Sequence, residues 1–86
     1  MEIASRVRKF VNEEILRGEE TVIQRDDDPL LEGAIDSVGL MHLVAFIEEE
    51  FDIEVDDAEI VPDNFSTVSD VEGLVRRRLE EKARTP

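Results

Sequence analysis

The sequence contains no cysteine, tryptophan or tyrosine, and its one histidine is His42. Without cysteine the chain can form neither disulfide bonds nor thiolate metal sites, and a lone histidine has no second imidazole with which to share a metal ion. We therefore predict no metal site and no redox chemistry. Long apolar runs are also missing, since charges interrupt the N-terminal stretch MEIASRVRKFVNEEILRG. Neither a signal peptide nor a membrane span is predicted, and we expect a soluble cytoplasmic protein.

Basic residues are absent from one long part of the chain. Sixteen aspartates and glutamates, but no lysine or arginine, lie between Asp26 and Glu72. The segment before it is neutral and the segment after it is basic, so this middle part accounts for the net charge of −13. Such a field repels nucleic acid and anionic lipid and accelerates encounters with basic protein surfaces. The predicted partner is a protein with an Arg/Lys patch, and an acidic face that serves only solubility is the alternative.

The spacing of apolar residues predicts four helices. Stripes at intervals of three and four residues predict a first helix over residues 2 to 17, ending at Gly18, a second over Val38–Phe51 and a last one ending at about Lys82. Pro62 suits the first turn of a short third helix in PDNF, and Thr67 or Ser69 is expected to cap the last helix. With 86 residues, we predict one domain (1–86, ordered core about 3–82) of the all-α class. It is a small four-helix bundle with three longer helices and one short third helix.

Ser37 follows Asp36 immediately before the periodic part of the second helix. Taken alone, Ser37 is interpreted as the N-cap of that helix. It is a weak candidate for a hydrolase nucleophile, because His42, the only imidazole, lies five residues on and about 500° around the helix. The position does suit an anion. A phosphodiester on Ser37 would lie at the positive end of the helix dipole, beside unpaired backbone N–H groups.

The outer side of the second helix changes from small apolar residues near Ser37 to carboxylates farther along. An apolar centre with charges beside it is typical of a protein-docking surface, although an ordinary solvent face is the alternative. We call this surface the docking strip, and it consists of Val38, Met41, His42, Ala45, Glu48, Glu49 and Asp52.

Two segments resemble the acyl carrier proteins. LLEGAIDSVGLMHLVAFIEEEFDIEV, residues 30 to 55, looks like their D-S-[LV] attachment motif followed by the acidic recognition helix, and PDNFSTVSDVEGLV is similar to their third helix and the start of their fourth. The resemblance covers about residues 3 to 80. It implies an antiparallel four-helix bundle that catalyses nothing itself. In that family a phosphopantetheinyl transferase joins 4′-phosphopantetheine from coenzyme A to the serine, here Ser37, and the thiol of this arm carries substrates as thioesters.

The resemblance also implies partners. Asp36 would take part in recognition by the transferase. The docking strip would meet basic surfaces of an acyl- or aminoacyl-loading ligase and of downstream transferases or synthases, and the protein is expected to be a monomer.

Two differences from the usual family motifs limit which type of carrier this chain resembles. Fatty-acid carriers usually have acids two and five residues after the serine, where this chain has Gly39 and His42. Peptidyl carriers usually place Gly-His before the serine, where Ile35 and Asp36 stand here. The resemblance that remains is to free-standing carriers of specialised pathways, including those loaded with amino acids or unusual acyl units, and the residues do not choose among these. An unmodified acidic helical adaptor, with Ser37 as an N-cap, is the alternative function.

Overall fold

The computed structural model describes residues 2–17, 22–31 and 35–84, and within them the chain is mainly helical. The predicted all-α class and small four-helix bundle are confirmed, with one short third helix. The elements in chain order are α1 (Ile3–Phe10), a π-helical turn (Val11–Ile15), α2 (Ser37–Phe51), a 3-10 turn (Asp57–Glu59), α3 (Pro62–Phe65) and α4 (Val68–Arg84).

One hydrophobic core joins the helices. α1, α2 and α4 each turn an apolar stripe inward, and each fully buried valine or leucine contributes roughly 1.5–3 kcal/mol relative to an exposed one. The stripes predicted from the sequence supply most of this core, and Phe65 of α3 closes it. Fully or nearly fully buried residues of the three longer helices include Ile3, Val7, Leu43, Ile47, Val71, Leu74 and Val75.

The first helix differs from the prediction of one continuous helix over residues 2 to 17. It is α-helical only to Phe10, after which a π-helical turn follows. Here the N–H of Leu16 donates to the carbonyl oxygen of Val11, five residues back, at 2.8 Å. This wider turn accommodates an extra residue. It also brings Ile15 against the start of α2. The predicted stop at Gly18 lies outside the described residues.

The connection from α1 to α2 is tied to the core by side-chain and backbone bonds. The Asn12 amide both accepts from the N–H of Ile23 and donates to its carbonyl oxygen, at 2.7 and 2.8 Å. Farther along, the N–H of Leu30 donates to the carbonyl oxygen of Ser66 at 2.8 Å. Leu30 and Ile35 are both buried in the core. The connection is therefore anchored both on the π-helical turn and on the residue that follows α3.

Local signals at the last two helices are confirmed. Pro62 occupies the first turn of α3, where its missing N–H costs no hydrogen bond. Thr67 caps α4, since its Oγ1 accepts from the N–H of Asp70 at 3.1 Å. α4 continues to Arg84, two residues beyond the predicted end.

Candidate functional site

The site is built at the start of α2, and the residue that caps this helix is Asp36. Its backbone is extended, with φ −101° and ψ −171°, and its Oδ1 accepts from the N–H of Gly39 at 2.8 Å. The prediction that Ser37 is the N-cap is therefore wrong. Ser37 is already the first helical residue, and the adjacent aspartate, whose side chain reaches the third N–H of the helix, does the capping instead.

Ser37 is exposed, and within the described residues its hydroxyl takes part in no hydrogen bond. The first backbone bond inside α2 runs from the N–H of Leu40 to the carbonyl oxygen of Asp36, at 2.8 Å. Oδ1 of Asp36 also accepts from the N–H of Gly39. By helix geometry this leaves the N–H groups of Ser37 and Val38 without an acceptor in the helix. A hydroxyl and two N–H groups thus meet at the positive end of a 15-residue helix.

Gly39 has a packing role. In the sequence it stood out only because fatty-acid carriers usually have an acid at this position. It is buried, and a Cβ on it would lie 3.1 Å from Cγ2 of Ile15 and 3.3 Å from Cβ of Ile35. Such distances are shorter than ordinary van der Waals contact, so the missing side chain lets the π-helical turn approach α2. A glycine in the first turn of a helix, where a better helix former would serve, is the sequence signal for this approach.

The apolar part of the docking strip lies in solvent, as predicted. Val38 and Met41 are 64% and 52% exposed, and His42 and Ala45 are exposed as well. Exposed apolar side chains of this size, grouped on one helix face beside Ser37, suit contact with another protein.

Two of the three carboxylates in the docking strip have partners inside the molecule. Oε2 of Glu48, a partly buried residue, accepts from the N–H of Val55 at 3.0 Å. Asp52 forms an ion pair with Lys82, whose Nζ also donates to the Asp52 carbonyl oxygen at 2.7 Å. The sequence does not reveal these pairings, because each joins residues whose proximity depends on how the chain turns after α2.

Asp52 ends α2 in the left-handed conformation, at φ 54° and ψ 54°. Aspartate is one of the few residues other than glycine that adopt it readily. The hydrogen bond and charge of Lys82 lower the pKa of the exposed Asp52 carboxyl. The carboxylate therefore favours its charged form and is paired with Lys82.

Two further observations concern the described part of the chain. No group of three acidic, histidine or cysteine side chains lies close enough together there to hold a metal ion. None of the described helices combines the length and the hydropathy that crossing a bilayer requires.

Fold and site together define a class of protein: a small helical domain that presents an exposed serine at the N-terminus of its second helix. The family model for the phosphopantetheine attachment site matches residues 5–75. This chain belongs to that family, and it is a carrier domain of the acyl carrier protein type. The chain matches no curated protein at a significant level.

Carrier domains of this family bear a covalent 4′-phosphopantetheine, are not themselves catalytic, and work with a phosphopantetheinyl transferase and partner enzymes. The residues present here fit that group. The hydroxyl of Ser37 is exposed, and the phosphate of the arm would lie next to the N–H groups of Ser37 and Val38. When bound, the arm supplies the thiol that this chain lacks.

Proposed function

We propose that this chain carries acyl or aminoacyl groups on 4′-phosphopantetheine attached to Ser37, and that it presents them to partner enzymes. One observation carries the proposal: within the family match, Ser37 is an exposed hydroxyl in the first turn of α2, beside N–H groups without helical acceptors. Asp36 supports this arrangement by capping α2 through Gly39, which leaves the first two N–H groups to the phosphate.

The attachment step uses Ser37 as the nucleophile and coenzyme A as the donor. Oγ of Ser37 forms a bond to the β-phosphorus of coenzyme A, and the bond from this phosphorus to the bridging oxygen of the diphosphate breaks. Adenosine 3′,5′-bisphosphate leaves, and the serine proton passes to a base of the transferase. The exposed position of Ser37 allows the enzyme to approach this oxygen.

The docking strip is the proposed contact surface for the transferase, for a loading ligase and for downstream transferases or synthases. Val38, Met41 and Ala45 would make apolar contacts near the arm, and carboxylates farther along α2 would attract basic side chains. The absence of acids at Gly39 and His42 favours a cargo of amino acids or unusual acyl units over the fatty-acid type.

The test is the intact mass of the protein before and after incubation with coenzyme A and a broad-specificity phosphopantetheinyl transferase. We expect wild type to gain one phosphopantetheine and Ser37→Ala to gain none. Ser69→Ala is the matched control, because Ser69 is another exposed serine in the first turn of a long helix, and it should be modified like wild type. No gain in wild type, while a control carrier is modified, would instead favour the unmodified adaptor.

A further inference from the structure

The end of α1 packs against the first turn of α2, the turn that carries Ser37. Gly39 is the third residue of α2, and it is buried. A Cβ on Gly39 would lie 3.1 Å from Cγ2 of Ile15, so the Ile15 side chain lies directly against the backbone there. The N–H of Gly39 also donates to Oδ1 of Asp36 at 2.8 Å. The cap and Ile15 therefore hold the same residue.

The π-helical turn fixes the position of Ile15. Val11 begins this turn and Leu16 follows it, and both are buried. In an α-helix, two residues five positions apart point about 140° away from each other, so a regular helix would turn one of them away from the core. The wider turn lets both face inward. Ile15, next to Leu16, is partly buried against this core and lies against Gly39.

The first turn of α2 is exposed apart from Gly39. Ser37 and Val38 lie in solvent, and by helix geometry their N–H groups have no acceptor in the helix. Helix ends fray unless caps or packing oppose the opening of the last turn. The position of the Ser37 hydroxyl therefore depends on how firmly Gly39 is held.

We infer that Ile15 is a positioning residue for the modification of Ser37. By packing on Gly39, it holds the first turn of α2 in the geometry that the phosphopantetheinyl transferase modifies. The inference rests on the proposed function and deepens it, because it adds a residue of the π-helical turn that lies outside the docking strip.

The attachment step requires this geometry. Oγ of Ser37 must approach the β-phosphorus of coenzyme A in line with the bond that breaks, and a displacement of about 1 Å can cost on the order of 100-fold in rate. The Asp36 carboxylate next to Ser37 repels the diphosphate, and its bond to the N–H of Gly39 keeps one of its oxygens at the helix end. By holding Gly39, Ile15 orders both the nucleophile and the nearest negative charge.

Three substitutions of Ile15 separate this contact from a general loss of packing. Ile15→Ala removes every atom beyond Cβ. Ile15→Leu keeps the number of carbon atoms but moves the branch away from Cβ, whereas Ile15→Val keeps both γ carbons. Leu79→Ala is the matched control, because Leu79 is also a partly buried aliphatic residue packed against the core. It lies on α4 one turn before Lys82, which pairs with Asp52 at the end of α2 far from Ser37.

The first measurement is kcat and KM for modification of each variant, with coenzyme A saturating and the carrier concentration varied. The temperature is one at which urea unfolding shows the variants to be folded. We expect Ile15→Ala and Ile15→Leu to lower kcat by about fivefold or more, with KM changed by less than about twofold, because the exposed side of α2 is intact. Ile15→Val and Leu79→Ala should keep the wild-type kcat. If Ile15→Ala does not fold, Ile15→Leu alone decides.

Hydrogen exchange of the unmodified protein gives a second measurement that needs no enzyme. The N–H of Leu40 donates to the carbonyl oxygen of Asp36 at 2.8 Å, so its exchange reports the opening of the first turn. We expect this amide to exchange about tenfold faster in Ile15→Ala and Ile15→Leu than in wild type. Ile15→Val and Leu79→Ala should leave its exchange unchanged.

Three results would overturn the inference while wild type is still modified. The first is a wild-type kcat in Ile15→Leu. The second is a loss of kcat in Leu79→Ala as large as in the Ile15 variants, which would mean that stability alone sets the rate. The third is an equal loss in Ile15→Val, which would mean that the γ carbons are not the contact that matters. Failure of wild type to be modified, while a control carrier is modified, would overturn the proposed function and this inference with it.

Discussion

Asp36 and Ser37 are neighbours with different physical roles. Asp36 satisfies a backbone N–H of α2, while the Ser37 side chain makes no bond within the described residues. The stability of α2 is thereby separated from the chemistry at its first residue. A serine that also capped the helix would have to give up that bond when it was modified.

This separation predicts unequal effects of two alanine substitutions. Asp36→Ala should lower the free energy of unfolding by about 1 kcal/mol, because the N–H of Gly39 loses its acceptor. Ser37→Ala should change it by no more than about 0.5 kcal/mol. Urea unfolding of the unmodified proteins measures both, with Asp36→Asn as a control that keeps a capping oxygen. A larger loss in Ser37→Ala would contradict this assignment.

Gly39 allows a second prediction, because α2 packs closely there. Gly39→Ala should gain roughly 1 kcal/mol of helix propensity but lose about 1–3 kcal/mol to overpacking against Ile15. We expect a net loss of about 1 kcal/mol in thermal or urea unfolding.

Ile15 provides the control, since the nearest atom is its Cγ2. In the Gly39→Ala background, Ile15→Leu removes the branch at Cβ and should recover part of the lost stability. Ile15→Val keeps both γ carbons and should recover none. Equal effects of the two substitutions would show that a contact other than Cγ2 decides the cost.

At the scale of elements, α1 and α2 run antiparallel and meet at three levels. Arg6 pairs with Glu50, the rings of Phe10 and Phe46 stack with centroids 4.1 Å apart, and the π-helical turn meets Gly39. The first two contacts lie far from Ser37 and the third lies beside it. The packing of α1 therefore sets where the serine-bearing turn sits.

Glu48 holds the segment after α2 through three hydrogen bonds. Its backbone oxygen accepts from the N–H groups of Asp52 and Ile53, and its side chain accepts from the N–H of Val55. We predict that Glu48→Ala loses about 1–3 kcal/mol of stability, because the N–H of the buried Val55 is left unpaired. Hydrogen exchange should show the Val55 amide losing protection in Glu48→Ala. Glu48→Gln should retain most of it, and equal losses in both would mean that charge, not the hydrogen bond, holds the segment.

For the whole molecule, the excess of negative charge is opposed by ion pairs between α4 and the chain that follows α2. Arg78 pairs with Glu59, and Lys82 pairs with Asp52. Burial raises the pKa of Glu59, but the hydrogen bonds from Arg78 and the N–H of Asp56, with the charge of Arg78, outweigh it and lower the pKa from 4.5. Through these ion pairs, the basic end of α4 binds part of the acidic middle of the chain.

The lowered pKa of Glu59 gives a pH dependence with a definite sign. Folding favours the charged form of Glu59, so the stability that this carboxylate contributes is present above pH 4.5. It is lost as pH falls through the lower pKa that Glu59 has in the folded state. As pH decreases from about 5 to about 3, the free energy of unfolding should therefore fall less for Glu59→Gln than for wild type. Chemical denaturation across this range measures the difference, and parallel curves would contradict it.

The sequence by itself determined the number and order of the helices, since the stripes at helical spacing, Pro62 and Thr67 depend on local geometry alone. It also singled out Ser37, because Asp-Ser before an amphipathic helix is a local pattern. These features require no knowledge of what packs against what.

Only the tertiary structure decided how the residues around Ser37 are used. The π-helical turn, the close approach of Ile15 to Gly39 and the internal partners of Glu48 and Asp52 all join parts of the chain that no local pattern relates. The sequence shows a row of equivalent acids on α2. Packing distinguishes them. Moving a carboxylate away from an internal partner costs free energy, whereas an unpaired carboxylate can bind another molecule without that cost.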